Sequence, residues 1–312
     1  MLTCLKFLAL QKSIDIKEII IADGGSKDKT IEVANSFSCK IIKNTERINK
    51  FGKKLLILNT KTEYLCLLDS DNFLTDEKYL SKMLLLIKSK INCIGVDSLY
   101  YSRPQKFFLL DEYLAQIGAD DPLASFLGYY DRFSLFENSW TGVDGIKVIS
   151  SELNGFFFKY EDNKTNHVPV PIGANGTILR CSTFREQQEY NELDGFEHVF
   201  HCNQLLLRAD SNNNLWAKCN VGLVHHHGTT LFIFFKKKLR RYLRKSNERS
   251  FQPTINLALR RLIPLLKNLV VSDMKIPYKL LHITLIFISI LTLIIGLLLR
   301  AFFGLKEKSL NV

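Results

Sequence analysis

Over its first hundred residues the chain alternates short apolar runs with segments of helical spacing. That alternation admits few architectures, because helices placed between strands are what connects parallel neighbours in a sheet. Lys17 to Ala22 (KEIIIA) reads as a strand that ends in the turn Asp23-Gly24-Gly25-Ser26, and Asp28 to Ser36 resumes helical spacing. Cys39 to Ile42 reads as a second strand, Phe51 to Asn59 as a helix, and Glu63 to Asp69 (EYLCLLD) as a third strand running into Ser70-Asp71-Asn72. Asp76 to Lys90 has Leu80, Met83, Leu84 and Ile87 on one side and reads as a helix, followed by Ile91 to Asp97 as a fourth strand. Ahead of them all, Leu2, Leu5, Leu8 and Ala9 form a helical stripe. The expected fold class is α/β: a doubly wound, mostly parallel sheet with helices on both faces. From about Ser98 the pattern loosens into scattered aromatics, as in a second subregion built on the first.

The chain's 312 residues, 46% hydrophobic and 23% charged, suffice for one large domain or two small ones and exclude a disordered chain. Seven cysteines, an odd number with no C-x-x-C pair, suggest neither a disulfide framework nor a zinc ribbon, and fit a reducing compartment. The net charge is +11, but eight cations fall between Lys236 and Arg249, so the excess marks one surface and no nucleic-acid partner is expected. The first residues lack the cationic, apolar and small-residue succession of a signal peptide.

Leu280 to Leu299 runs 20 residues without a formal charge between Lys279 and Arg300. A helix of that length spans ~30 Å, the thickness of a hydrocarbon core, so it reads as a transmembrane helix; the alternative is a buried core helix. The preceding stretch is basic and amphipathic, with Ile255 to Val271 expected as an apolar helix broken at Pro264. It reads as a collar at the membrane interface or, alternatively, as a solvated face. Cations from Lys236 to Lys279 outweigh Arg300, Lys306 and Lys308 beyond the apolar run, which places the large domain in the cytoplasm on a single-pass membrane chain.

Asp69 and Asp71 close a strand, and residues two apart share a face, so both carboxylates can reach the crevice beyond the strand's carboxyl end. Hard divalent cations, Mg²⁺ or Mn²⁺, prefer such oxygen ligands and could bridge a diphosphate; the same Asp-Ser-Asp-Asn could equally form a turn and cap the next helix. Upstream stands Glu18-Ile-Ile-Ile-Ala-Asp-Gly-Gly-Ser-Lys-Asp-Lys-Thr30. With these two motifs the chain resembles the family-two glycosyltransferases of the GT-A fold, from about residue 2 to 245. The resemblance implies that Asp23, with Gly25 and Ser26, contacts the nucleoside, and that Asp69 and Asp71 bind the metal-bound diphosphate. It further implies that the loop containing Gly173, Asn175 and Gly176, running to Arg180, lies near the transferred sugar.

An inverting transfer needs a base at the acceptor hydroxyl. Relatives carry a Glu-Asp pair where this chain has Glu197-His198, so Glu197 is the first candidate and Asp194 the second. In the run His225 to His227, the resemblance favours His225 as a metal ligand. A zinc site drawn from His198, His201, Cys202, Cys219 and that run matches no zinc spacing. Phe235-Lys-Lys-Lys-Leu-Arg-Arg241 lacks the Gln-x-x-Arg-Trp of processive synthases, which favours transfer of one sugar. The implied organisation is a nucleotide-sugar-binding half (1–98), an acceptor-binding half (99–235), a basic interface segment (236–279), the membrane helix (280–299) and a tail (300–312).

The expected function is a membrane-attached, metal-dependent glycosyltransferase moving a single sugar from a nucleotide diphosphate sugar to a lipid-linked or surface-glycan hydroxyl. A nucleotidyltransferase would need a better phosphate loop than Gly52-Lys53-Lys54. The rival outside enzymology is an inactive membrane-bound scaffold of the same fold. The chain opens at the helix that follows the family's first strand, so that strand is expected to be missing: either the true start lies upstream, which is favoured because the other donor-site residues are in place, or the chain is an inactive remnant, which would give the scaffold reading weight.

Overall fold

The computed structural model describes residues 1–47, 49–103, 109–128, 130–141, 146–160, 175–185, 214–227, 230–243 and 255–303. In chain order these form α1 (Leu2–Ala9), β1 (Ile20–Asp23), α2 (Thr30–Ser36), β2 (Lys40–Lys43), α3 (Asn49–Asn59), β3 (Tyr64–Leu67), β4 (Asn72–Phe73), α4 (Tyr79–Ser89), β5 (Cys93–Tyr101), α5 (Leu109–Ile117) and α6 (Pro122–Phe126). They continue with β6 (Ile146–Glu152), β7 (Gly155–Tyr160), β8 (Thr177–Arg180), α7 (Cys181–Arg185), β9 (Leu215–His225), α8 (Leu231–Leu243), α9 (Ile255–Val271) and α10 (Ile276–Phe303). Two compact units result, one of residues 1–102 and 144–225, the other of residues 103–143 and 226–312.

The first unit is the α/β body that the alternation implies. Its larger sheet has the order β3-β8-β5-β9-β7-β6, and β4 pairs the far end of β9. β5 and β9 are parallel, and β3 runs the same way because β8 lies antiparallel to both β3 and β5. The strands outside the early strand–helix alternation bring antiparallel pairing, as β6 and β7 must, being joined by a tight turn at Leu153-Asn154. β1 and β2 pair in parallel as a separate ribbon.

β5 and β9 are buried along nearly their whole length, so they lack the polar alternation of a half-exposed strand. Gly95 lets them close together, since a Cβ there would meet the Trp216 ring at 2.4 Å. Lys218 and Asp97 oppose each other across the pair and form an ion pair of 2.9 Å at 1% and 0% side-chain exposure. Arg180 on β8 is a second buried polar hub. Its guanidinium donates to the Cys93 carbonyl at 3.0 Å and, at the carboxyl end of α4, to the Ile87 carbonyl at 3.1 Å; it also pairs with Glu63 at 3.1 Å.

The second unit is helical. Tyr113 and Leu114 of α5, Tyr130, Phe136, Phe234 of α8 and Leu285 of α10 share its core. Asp121 caps α6 by accepting from the Leu123 N–H at 3.0 Å and also takes the Lys238 ammonium at 2.7 Å. α9 continues through Pro264 without the expected break.

Replacing Lys218 by Met leaves the Asp97 carboxylate buried without its cation. We expect a loss of about 3–5 kcal/mol in chemical denaturation, with much of it recovered when Asp97→Leu is added.

Candidate active site

The candidate carboxylates lie where strands end. At the carboxyl end of β1, Asp23 accepts from the Gly25 N–H at 2.8 Å and from the Ser26 hydroxyl at 2.6 Å. Gly25 takes φ +93°, a conformation that favours glycine, and so turns its N–H back onto the carboxylate. The Ser26 hydroxyl bond holds the Asp23 carboxyl below the ordinary range, with the Gly25 and Ser26 N–H groups adding to it against a smaller opposing effect of burial. Asp28 then accepts from the Thr30 N–H at 3.0 Å as α2 begins.

Beyond β3, Asp69 is gripped from α3. Asn49 Nδ2 donates to its Oδ1 at 3.1 Å and Lys53 Nζ to its Oδ2 at 3.2 Å. Asn49 and Lys53 are four apart, one helical turn, so both reach the same carboxylate. Lys53 also donates to Asn175 Oδ1 at 3.4 Å. Gly52 allows the approach of α3, since a Cβ there would come within 3.1 Å of Asn44 Nδ2 and 3.4 Å of the Ala22 Cβ. The sequence had offered Lys53 only as a fragment of a poor phosphate loop. Its signal was the spacing Asn49-x-x-x-Lys53 rather than the glycine before it.

Asp71 meets a histidine. β4 pairs with the end of β9 so that Asn72 lies opposite His225, and His225 Nε2 stands 3.8 Å from Asp71 Oδ2. A carboxylate oxygen and an imidazole nitrogen at that spacing, two residues from a second carboxylate, are a donor set that suits Mn²⁺ or Mg²⁺. The other two histidines of the run go elsewhere: His226 and His227 bind the buried Asp111 in the second unit through their Nδ1 atoms, at 2.8 and 3.1 Å.

Asp23, Ser26, Lys53 and Asp69 line one cavity of about 820 Å³. Consecutive residues of β1 and of β3 line it, so each strand turns an edge toward it, not a face. Among the described residues β1 pairs only with β2, and β3 only with β8. Cys4 on the cavity wall is a thiol pushed up to about 11, chiefly by burial, with Asp71 and Asp69 adding to it against the terminal amine.

The glycine loop is present in part. Gly176 takes φ +68°, its N–H donates to the Leu67 carbonyl at 2.7 Å, and its carbonyl accepts the Tyr79 hydroxyl at 2.9 Å. A Cβ there would meet the Tyr79 oxygen at 2.6 Å, so glycine is required beside the end of β3. Arg180, at the other end of that segment, is opposite Tyr64 at the start of β3 and braces the sheet instead of facing the site. Gly173, Asp194 and Glu197 lie outside the described residues.

Carboxylates and a lysine gathered at strand ends beside a cavity are the layout of an α/β protein that binds its ligand in the crevice beyond the sheet. The chain belongs to glycosyl transferase family 2, whose model matches residues 1–183, and it is therefore a glycosyltransferase acting on a nucleotide sugar. Comparison with curated proteins gave no match. Among solved structures it is similar to Staphylococcus aureus TarS, residues 1–349 in complex with UDP, at 11% identity and a TM-score of 0.37, over 99% of this chain and 70% of that one.

Removing the Ser26 hydroxyl should raise the Asp23 titration midpoint toward that of an unfolded carboxylate, as read by carboxyl NMR in Ser26→Ala. In the wild type the Asp23 contribution to stability is complete above the unfolded pKa and is lost as pH falls through the lower folded one.

Proposed function

We propose that this chain transfers a single sugar, with inversion, from a nucleotide diphosphate sugar to an acceptor hydroxyl on a lipid-linked or surface glycan. The observation that carries the reading is the convergence of Asp69, Asp71 and His225 at neighbouring strand ends, with Lys53 reaching Asp69 from α3 and Asp23 on the wall of the same cavity as Asp69. The nucleoside lies against Asp23, Gly25 and Ser26. Lys53 supplies a cation to the diphosphate from its place beside Asp69, and Gly173, Asn175 and Gly176 let the sugar approach backbone.

Asp69, Asp71 and His225 would hold a divalent cation, Mg²⁺ or Mn²⁺. When bound, such an ion neutralises charge on the departing diphosphate. The acceptor oxygen attacks the anomeric carbon as a base takes its proton, and the bond to the diphosphate oxygen breaks with its electron pair leaving on that oxygen. Glu197 is the proposed base, with Asp194 second. The chain acts at a membrane through its apolar C-terminal helix, with the catalytic unit in the cytoplasm. Two features support that placement: the cation-rich stretch from Lys236 to Lys279 suits an anionic cytoplasmic leaflet, and among the described residues α10 is long and apolar enough to reach across a bilayer.

Asp71→Asn should abolish glycosidic-bond formation from a panel of radiolabelled nucleotide sugars while leaving the melting temperature unchanged, and EDTA should stop the wild type reversibly. Transfer that survives EDTA would overturn the metal assignment; a wild type that binds no nucleotide sugar would favour the inactive scaffold.

Lys53→Met should weaken nucleotide-sugar binding by roughly tenfold or more, the worth of a charge-assisted hydrogen bond. Calorimetric titration checks this.

A further inference from the structure

Within the second unit α10 is two-sided. His282, Leu285, Ile286 and Ser289, on its inner face, are buried. His282 Nδ1 hydrogen-bonds the Tyr113 hydroxyl, its ring sits edge-on to Phe136 at 4.3 Å, and Ile286 packs with Leu123, Phe126 and Leu127 around α6. The outer face is an exposed apolar stripe, spaced three and four apart from Ile276 through Leu280, Ile283, Phe287 and Leu291, and reaching Leu298. It runs ~33 Å, and Phe287 at its middle is 69% exposed.

α9 repeats the pattern. Arg261 donates to the Phe126 carbonyl at 2.9 Å and to Glu137 at 3.1 Å on its inner side, while Leu262, Ile263, Leu266 and Val270 stand exposed.

A helix crossing a bilayer alone has lipid around its middle. One side of the middle of α10 instead faces protein, and that protein carries charge: α8 packs along α10 and carries Lys236, Lys237 and Lys238, with Lys238 paired to Asp121 at the start of α6. Crossing in this arrangement would draw those charges into hydrocarbon, which is costly.

We propose that α10 lies in the plane of the membrane, its inner face on the second unit and its outer stripe in lipid, so that the protein is monotopic on an anionic leaflet. This rests on the membrane attachment proposed above and gives it a geometry. The occupant of the exposed stripe is identified by charge: from Leu231 to Phe303 the sequence has fourteen Lys and Arg against two carboxylates, Glu248 and Asp273. Lys267, among the exposed apolar residues of α9, and Lys275, just before α10, are themselves exposed, as a basic rim beside an apolar face requires for anionic headgroups.

The test uses the full-length protein with a cysteine introduced at Lys275→Cys or Arg300→Cys, expressed in membranes that are sealed in either orientation and treated with an impermeant maleimide; the labelled peptide is identified by mass spectrometry, which separates the introduced site from the seven native cysteines. Labelling of both sites from the cytoplasmic side alone supports the in-plane helix. Labelling from opposite sides overturns it in favour of a span and leaves membrane attachment intact. A folded chain recovered wholly in the soluble fraction overturns the attachment as well. In flotation, vesicles of phosphatidylcholine with phosphatidylglycerol should capture the protein at least tenfold better than phosphatidylcholine alone. Phe287→Glu should cut that capture tenfold or more at an unchanged melting temperature, since the side chain faces outward; equal capture by both compositions and by the variant would overturn the proposal.

Discussion

The buried pair Lys218–Asp97 sets the register on which the site depends. It lies at the centre of the parallel ladder of β5 and β9, where a slip of one residue would turn every side chain to the opposite face. The same ladder seats Trp216 over Gly95, a contact that no other register can make. From that fixed point β9 runs seven residues to His225, which the register delivers opposite Asn72 and beside Asp71. A buried ion pair adds little net stability against a well-packed apolar pair, yet it penalises every alternative register that leaves a charge unpartnered. Its value here is the placement of one histidine at a strand end.

The two carboxylates of the Asp-x-Asp motif have different surroundings. Asp69 is held by Asn49 and Lys53 from one turn of α3, so its charge is already partly balanced. Asp71 is half-exposed and looks toward His225. On the proposed reading, a dianionic diphosphate entering beside Lys53 would compete with Asp69 for that ammonium, and a cation arriving with the ligand would compensate Asp69 in its place. Donor and metal binding would then be coupled through Lys53, an electrostatic exchange that needs no movement of the sheet. The separation of β1–β2 from β3 bears on the same region. Among the described residues both strands leave an edge on the cavity, so part of its wall is backbone that makes no ladder there.

Much of this was legible in the sequence because local rules dominate near Asp23 and Asp69. Gly25 and Ser26 announce a tight turn that bonds its own aspartate, and the strand Glu63 to Asp69 can end only in an acidic turn. The early helices and strands follow from spacing, and the structure shortens several of them by a few residues at either end without changing their order. What was not legible depends on long-range pairing. β4 is two residues long and exists because the end of β9 offers it a partner; Arg180 braces the sheet because β8 inserts between β3 and β5. Lys53 drew no role from the sequence for a related reason. Its role comes from a neighbour sixteen residues away on the next strand, and the adjacent glycine drew attention to a phosphate loop instead.

Pro264 and the apolar run of α10 show the limit of one-dimensional reading from the other side. Proline removes one donor, but Arg261 and Asn268 on either side of it tie α9 to Glu137, and that tertiary anchoring outweighs the lost bond. In α10, hydropathy sums over the whole circumference and so records 20 uncharged residues alike, although His282 and Ser289 fall on one side and Phe287 on the other. A histidine and a serine seven apart on one face are the polar marks of a protein-facing stripe: lipid offers neither a partner, whereas Tyr113 offers His282 one. The face carrying them belongs against the second unit, and the opposite face, whose exposed Thr284 turns its hydroxyl back onto the Leu280 carbonyl and whose other groups are mostly apolar, is the one left to meet a bilayer.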